Sequence, residues 1–294
     1  MHIGFIGVGQ MGRWMAAHLL SAGYRVTVFD SKREAMDVLA AEGAQRANSL
    51  AEIGRENELV ITMLPNSAAV EDVLAGPDGL FETMAPGGVI IDMSSSYVLS
   101  TRKLAQSAQA KGLILIDAPV SGGVKGAKER TLTIMVGGSR KDFEAVLPVL
   151  QCLGKKVTLV GTTGAGHALK AINNYLSATS LYATTEAMVL AKTLGLDLKV
   201  ALENINSSSG QSYSTHYKFP IFVLPRRFDS GFSLKLLLKD VKMVTALAED
   251  NRVPVFLASA VEQVYEAAAL MGEGQQDHTE IVKFLETITH QVLI

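Results

Sequence analysis

The stretch Ile3-Gly4-Phe5-Ile6-Gly7-Val8-Gly9-Gln10-Met11-Gly12 decides how this chain is read. Gly7, Gly9 and Gly12 stand in G-x-G-x-x-G spacing, directly after an apolar strand-like run and at the start of a helical pattern. Glycine is needed there for a tight turn, for close approach of the backbone to a pyrophosphate, and for close packing of strand on helix; the helix N-terminus then faces the negative charge. Such spacing also occurs in ordinary turns, so its context decides. A second strand-like run, Val26-Thr27-Val28-Phe29, ends in Asp30, about 20 residues beyond the glycines, where a carboxylate can accept hydrogen bonds from a ribose. The expected ligand is a dinucleotide, with Gln10 and Met11 lining the same loop. A carboxylate at position 30 repels a 2′-phosphate, which favours NAD; Lys32 and Arg33 follow and keep NADP open.

Outward from this loop, β-branched runs recur at His2–Ile6, Arg25–Phe29, Leu59–Met63, Val89–Asp92, Ile114–Asp117, Thr131–Val136 and Lys156–Val160. Helix-like segments such as Met11–Ala22 and Arg33–Ala41 lie between them, each closed near a glycine suited to a left-handed C-cap, Gly23 and Gly43. Alternation of this kind predicts βαβ units and a doubly wound, mostly parallel α/β sheet. Ligands of such sheets lie beyond the carboxyl ends of the strands, which adds Met63-Leu64-Pro65 and Asp92-Met93-Ser94-Ser95 to the expected nucleotide site.

Glycine usage divides the chain. Of 26 glycines in 294 residues, 21 fall within residues 1–166. Beyond them Ala168, Leu169, Ile172, Leu176, Thr179 and Ala183 recur at three- and four-residue steps with no breaker before Gly195, predicting one long helix over about 166–193 that bridges two domains. Further helices are expected at Leu198–Ser207, Leu234–Asp250, Pro254–Met271, with Pro254 at the first helical position, and His278–Leu293. The expected organisation is a nucleotide-binding domain over 1–162 and an all-helical domain over 163–294.

Composition excludes several classes. A net charge of -2 with 6% aromatics lacks the basic face a nucleic-acid binder needs. No apolar run approaches the roughly 20 residues of a membrane-spanning helix, and Met1-His2-Ile3-Gly4 leads straight into a strand pattern without the regions of a signal peptide. The single cysteine, Cys152, has no metal-ligand neighbourhood and reads as a small buried hydrophobe, and the six histidines show no metal spacing. A cytoplasmic, metal-free protein is expected.

The stretch Gly164-Ala165-Gly166-His167-Ala168-Leu169-Lys170-Ala171-Ile172-Asn173-Asn174 places Lys170, Asn173 and Asn174 at i, i+3 and i+4, so an ammonium and two carboxamides share one helix face. Polar groups in an otherwise apolar helix are costly unless paired or used; lysine on a solvated face is the ordinary alternative. With Gly4–Gly12, Met63-Leu64-Pro65, Asp117-Ala118-Pro119-Val120-Ser121-Gly122-Gly123 and Lys239-Asp240, this stretch forms an ordered set of five motifs along nearly the whole length. In that set the chain resembles the β-hydroxyacid dehydrogenase family, which includes 3-hydroxyisobutyrate dehydrogenase and tartronate semialdehyde reductase.

The resemblance implies an N-terminal Rossmann domain, a long interdomain helix and an all-α C-terminal domain, assembled as a homodimer or homotetramer. It implies an NAD-dependent oxidoreductase interconverting a small hydroxyacid and its semialdehyde, with Lys170 as acid/base. It implies that Ser121, Gly122 and Gly123 hold the substrate carboxylate, that Asn174 holds its hydroxyl region, and that Lys239 lies beside substrate and nicotinamide. Asn173 and Asp240 then act as supports. Reducing a carbonyl builds negative charge on oxygen, which a desolvated lysine can stabilise and protonate. Ser95 stands where threonine is common and keeps the hydroxyl; Arg13-Trp14 replaces a small residue or proline, leaving a pyrophosphate contact or a surface role open to Arg13; Glu129-Arg130 occupies a position where glycine is frequent and carries no functional reading. Specificity is expected from Ser209–Tyr213 and Phe232. Imine reduction, performed by relatives with the same plan, is disfavoured by Lys170, and a purely dinucleotide-binding module has no need of it.

Overall fold

The computed structural model describes residues 1–272 and 274–293, and the chain divides into two compact units, Met1–Lys170 and Ala171–Ile294. Among the described residues the first unit holds one nine-stranded sheet: β1 (His2–Ile6), β2 (Arg25–Phe29), β3 (Gln45–Arg46), β4 (Leu59–Thr62), β5 (Val89–Asp92), β6 (Ile114–Asp117), β7 (Val120–Ser121), β8 (Leu132–Gly137) and β9 (Gly154–Gly161). The order is β3-β2-β1-β4-β5-β6-β8-β7, with β9 beside β8. Strands β1 to β6 pair in parallel; β8 runs antiparallel to β6 and β7.

Alternation along each strand makes two cores. Ile3, Phe5, Val26, Val28, Ile61 and Ile91 face the helices Gly12–Ser21 and Arg33–Ala41, burying Met15, Leu19, Met36 and Leu39 with them. Ile6, Val60, Ile90 and Leu115 face the other way, onto Val70, Leu74, Leu104 and Ala108 of the helices Ser67–Ala75 and Val98–Ala110. A sheet covered on both faces is the doubly wound architecture the run pattern predicts. Gly23 and Gly43 take positive φ, 86° and 104°, just past the helices they close. The short strands β3 and β7 carry no legible apolar run.

Arg130 adopts left-handed backbone, φ 58°, which explains why glycine suits its position; a side chain there costs about 1–2 kcal/mol. Its Nε donates to His18 Nδ1 at 2.9 Å, and the His18 Nε2 lies 2.9 Å from the Ala127 carbonyl. Arg13 and Lys128 stack against the Trp14 ring at 4.3 and 5.3 Å. Three of the residues that depart from the family pattern, Arg13, Trp14 and Arg130, thus lie where the helices Gly12–Ser21 and Gly123–Glu129 meet. Cys152 is half-buried at the edge of the core rather than within it, its Sγ 3.3 Å from the Pro148 carbonyl.

The second unit is helical. The helix Ala165–Thr193 starts in the first unit and continues into the second, followed by the helices Leu198–Asn206, Leu234–Asp250, Phe256–Met271 and Ile281–Thr289. Helix Phe256–Met271 begins two residues after Pro254, so that proline precedes the helix instead of opening it. A π-helix, Ser214–Val223, has no periodic sequence signal and contains Pro220. No described helix is long and apolar enough to cross a membrane. The stripe Leu169, Ile172 and Leu176 is 39–59% exposed, whereas Ala171, Asn174, Ala178, Leu181 and Met188 form the buried face of the same helix. The sequence periodicity had thus picked out the outward face.

The helical core encloses Lys218, whose Nζ donates to Ser177 Oγ at 2.8 Å. Burial lowers its pKa to about 7 against an opposing pull from Asp277. Burial, then Lys218, lowers His278 to about 3. Both folded-state values lie below the unfolded ones, about 10.4 and 6.5. The unfolded state therefore binds more protons, and stability rises with pH from about 3 to 6.5 through His278 and from about 7 to 10.4 through Lys218. Urea unfolding of the protein should give a free energy for the helical unit that increases between pH 7 and pH 9.5. Lys218→Met should flatten that rise; an equally steep rise in the variant would mean that other groups cause it.

Candidate active site

Because β1, β2, β4, β5 and β6 are parallel, the segments after them meet along one edge of the sheet. The glycine loop is fixed there by backbone bonds. Gly7 takes φ 92° and donates to the Phe29 carbonyl at 2.9 Å, while Met63 donates to the Ile6 carbonyl at 2.9 Å. A Cβ at Gly7 would strike the Met63 carbonyl oxygen, and one at Gly12 would strike the Gly7 carbonyl oxygen. Gly9 differs: a Cβ there would meet nothing within 4 Å. The middle glycine therefore faces open space, as a loop that admits a pyrophosphate requires. Gln10 is exposed and Met11 half-buried against the core.

Asp30 directly follows β2 and is half-buried. One carboxylate oxygen accepts from Val8 N and the other from Lys32 N, both at 2.9 Å. It therefore braces the glycine loop as well as standing where a ribose would arrive, and each oxygen keeps a lone pair for a further donor. Lys32 and Arg33 are exposed beside it. After β4, Met63 and Leu64 are half-buried and Pro65 is exposed; Leu64 N donates to Ser94 Oγ at 2.9 Å, joining this turn to the one after β5. Ser94 is fully buried, Ser95 half-buried.

Ser121 lies in β7, held by antiparallel pairing with Thr133 of β8. Gly122 and Gly123 follow with φ 132° and 62°, and a Cβ on Gly123 would meet nothing within 4 Å. Successive N–H groups in such backbone form a concavity suited to an anion. Lys170, half-buried, ends the first turns of the helix Ala165–Thr193.

In the helical unit, Asn174 is 7% exposed and donates through Nδ2 to Asp240 Oδ2 at 2.5 Å; Asn173 Nδ2 lies 3.2 Å from Asn174 Oδ1. Asp240, almost wholly buried, has its second oxygen 3.4 Å from Lys239 Nζ. The helices Ala165–Thr193 and Leu234–Asp250 thus bring Asn173, Asn174, Lys239 and Asp240 into one polar chain. Tyr213 is exposed and stacks on Tyr217 at 5.0 Å, so it is not a core aromatic; Phe232 packs against the helical core and edge-on to His278.

Sequence reasoning passed over a buried cluster at the same sheet edge: Asp92, Ser96, Thr101, Asp117 and His167, each at most 3% exposed. Burial pushes the Asp117 carboxyl up, while His167 and the Gly164 and His167 N–H groups pull the other way. The available signal was an aspartate closing each of two neighbouring apolar strands.

Residues 2–161 match the NAD binding domain of 6-phosphogluconate dehydrogenase, and residues 164–285 match the NAD-binding domain of NADP-dependent 3-hydroxyisobutyrate dehydrogenase. The chain is 39% identical to 2-(hydroxymethyl)glutarate dehydrogenase of Eubacterium barkeri, covering 98% of this chain and 95% of that one. It is 38% identical to the mitochondrial 3-hydroxyisobutyrate dehydrogenase of Drosophila melanogaster, over 97% and 89% of the two chains. Among solved structures, Mycobacterium tuberculosis 3-hydroxyisobutyrate dehydrogenase with L-serine superposes with a TM-score of 0.90 at 32% identity, covering 97% of this chain and 98% of that one.

Proposed function

The chain belongs to the β-hydroxyacid dehydrogenase family, and from that premise we propose that it interconverts a small 3-hydroxyacid and its semialdehyde, with Lys170 as acid and base. It is an NAD(P)-dependent dehydrogenase acting on the hydroxyl group of a hydroxyacid. The observation that carries the finer reading is that Lys170 ends the first turns of a helix anchored to the sheet edge that also bears the glycine loop and the Ser121–Gly123 turn. When bound, the nicotinamide supplies hydride chemistry; the chain supplies orientation and charge.

In this reading the backbone of Gly7, Gly9, Gln10, Met11 and Gly12 receives the pyrophosphate and Asp30 the ribose. Met63, Leu64, Pro65, Ser94 and Ser95, with Lys239, border the nicotinamide. Ser121 Oγ and the N–H groups of Gly122 and Gly123 hold the substrate carboxylate. Asn174 orients the hydroxyl, itself held by Asp240 and flanked by Asn173. Lys170 Nζ takes the hydroxyl proton during oxidation and returns it during reduction, offsetting the charge that develops on oxygen.

The test is kcat/KM for 3-hydroxyisobutyrate, L-serine, glycerate, tartronate semialdehyde and 2-(hydroxymethyl)glutarate, each with its matching form of NAD and NADP. A monocarboxylic 3-hydroxyacid should lead, with NAD preferred by about tenfold or more, equivalent to 1.4 kcal/mol. A lead for 2-(hydroxymethyl)glutarate would move the substrate class to dicarboxylates, and absence of turnover throughout would remove the reading.

The outward stripe of Leu169, Ile172 and Leu176 makes the long helix apolar on two sides. An exposed apolar stripe beside a buried one marks a surface for association, which supports a homodimer or homotetramer. Sedimentation should find no monomer at micromolar concentration; a monomeric species would count against it.

A further inference from the structure

The residue before the helix that carries Lys170 is Gly164, which has no side chain to cap it. Instead Asp117, at the end of β6, accepts Gly164 N through Oδ1 at 2.6 Å and His167 N through Oδ2 at 2.9 Å. A carboxylate at a helix N-terminus satisfies free N–H groups and complements the helix dipole. Room for it is made by glycine: a Cβ at Gly137 or Gly166 would run into Asp117.

The His167 ring completes the joint. It is 1% exposed and sits between two buried carboxylates, its Nε2 3.7 Å from Asp92 Oδ2 and its Nδ1 3.9 Å from Asp117 Oδ2. Nε2 lies 3.1 Å from the Ser94 carbonyl, an acceptor only, so this nitrogen carries a hydrogen and donates it. Nδ1 lies 2.8 Å from Thr101 Oγ1. Asp92 is independently held by Thr62 Oγ1, Ser94 N and Ser96 Oγ at 2.9, 3.0 and 2.6 Å. In register, Asp92 and Asp117 are paired residues of neighbouring strands.

One side chain therefore touches three structures with separate tasks. Ser94 belongs to the turn that borders the dinucleotide, and its Oγ also fixes Leu64 N. Asp117 opens the segment that leads through Pro119 into Ser121–Gly123. Lys170 follows His167 by three residues, about 4.5 Å along the helix axis. A ring wedged at that point sets the depth and rotation of the helix start, and with it the place of the lysine.

We infer that His167 is a positioning residue, which through its bonds to the Ser94 carbonyl and Thr101 and its seat between Asp92 and Asp117 fixes Lys170 against the nicotinamide and carboxylate sites. The inference rests on the assignment of Lys170 above. Its substrate-side consequence is geometric: a misplacement of about 1 Å at a reacting group can cost about 10²-fold in rate, while ground-state binding through other residues is spared.

The experiment compares His167→Leu, His167→Gln and Lys170→Ala in the full chain by steady-state kinetics, NADH fluorescence titration and thermal unfolding. His167→Leu should lower kcat by about 10²-fold, with KM for the hydroxyacid and Kd for NADH within about twofold. His167→Gln, whose amide can still donate to the Ser94 carbonyl, should recover most of kcat. A folded His167→Leu enzyme with wild-type kcat overturns the inference, as does a loss spread equally over kcat, KM and Kd, or a glutamine variant no better than leucine. If His167→Leu does not fold, Thr101→Val removes the Nδ1 partner, together with the Thr101 Oγ1 bond to the Tyr97 carbonyl one turn earlier in its own helix, and must show the same split between kcat and KM. Turnover retained in Lys170→Ala defeats the assignment of Lys170 instead, whatever His167 does.

Discussion

Lys170→Ala is expected to reduce kcat by about 10²–10⁴-fold, the usual contribution of a positioned general acid or base, with NADH affinity unchanged. The dinucleotide contacts proposed above come from the glycine loop, Asp30 and the turns after β4 and β5, and Lys170 is assigned to the substrate oxygen instead. Removing an ammonium that acts on the substrate oxygen strips stabilisation from the transition state more than from the ground state, so kcat and kcat/KM should fall together. Truncation also leaves the helix start intact, since its bonds to Asp117 are made by the N–H groups of Gly164 and His167. The check is single-turnover kinetics beside an NADH fluorescence titration. Full activity in the variant would sink the proposed mechanism.

Gly9→Ala and Gly12→Ala should both weaken dinucleotide binding, by different routes. At Gly9 an added methyl meets no protein atom within 4 Å and the backbone is not left-handed. The variant should fold with an unchanged melting temperature and lose affinity, because the methyl occupies the space through which a pyrophosphate approaches. At Gly12 the methyl strikes the Gly7 carbonyl oxygen, and overpacking of this kind costs about 1–3 kcal/mol. That is about 5- to 150-fold in an equilibrium at 1.4 kcal/mol per tenfold, and it should appear in the melting temperature as well as in NADH affinity. Equal thermal stability for the two variants, or unchanged affinity in Gly9→Ala, would contradict the assignment of the middle glycine.

The structure also alters what several named residues mean. Asp30 was read as a ribose ligand, yet both its oxygens already brace backbone N–H groups. Replacing it therefore disturbs the loop and the nucleotide together. Three of the residues that break the family pattern, Arg13, Trp14 and Arg130, lie where one helix packs on another. Lys218 and His278 form a buried cluster within the helical unit that had no trace in motif or periodicity.

Sequence alone determined the sheet strands with regular apolar runs, the glycine loop, the closing aspartate of β2 and the long helix, because each is a local pattern whose physical cause lies within a few residues. Strand period, turn chemistry and helix punctuation are written in neighbours. Tertiary structure decided the rest. It turned the Leu169, Ile172 and Leu176 stripe outward, since a helix with two apolar faces does not say which one its own chain will cover. It inserted β7 and the π-helix, whose hydrogen bonds are not signalled by any repeat. Above all it joined Asp92, Thr101, Asp117 and His167, residues up to 75 apart in the chain, into a single buried joint. A polar residue's partner is fixed by where strands end in space, and that distance is absent from the order of the residues.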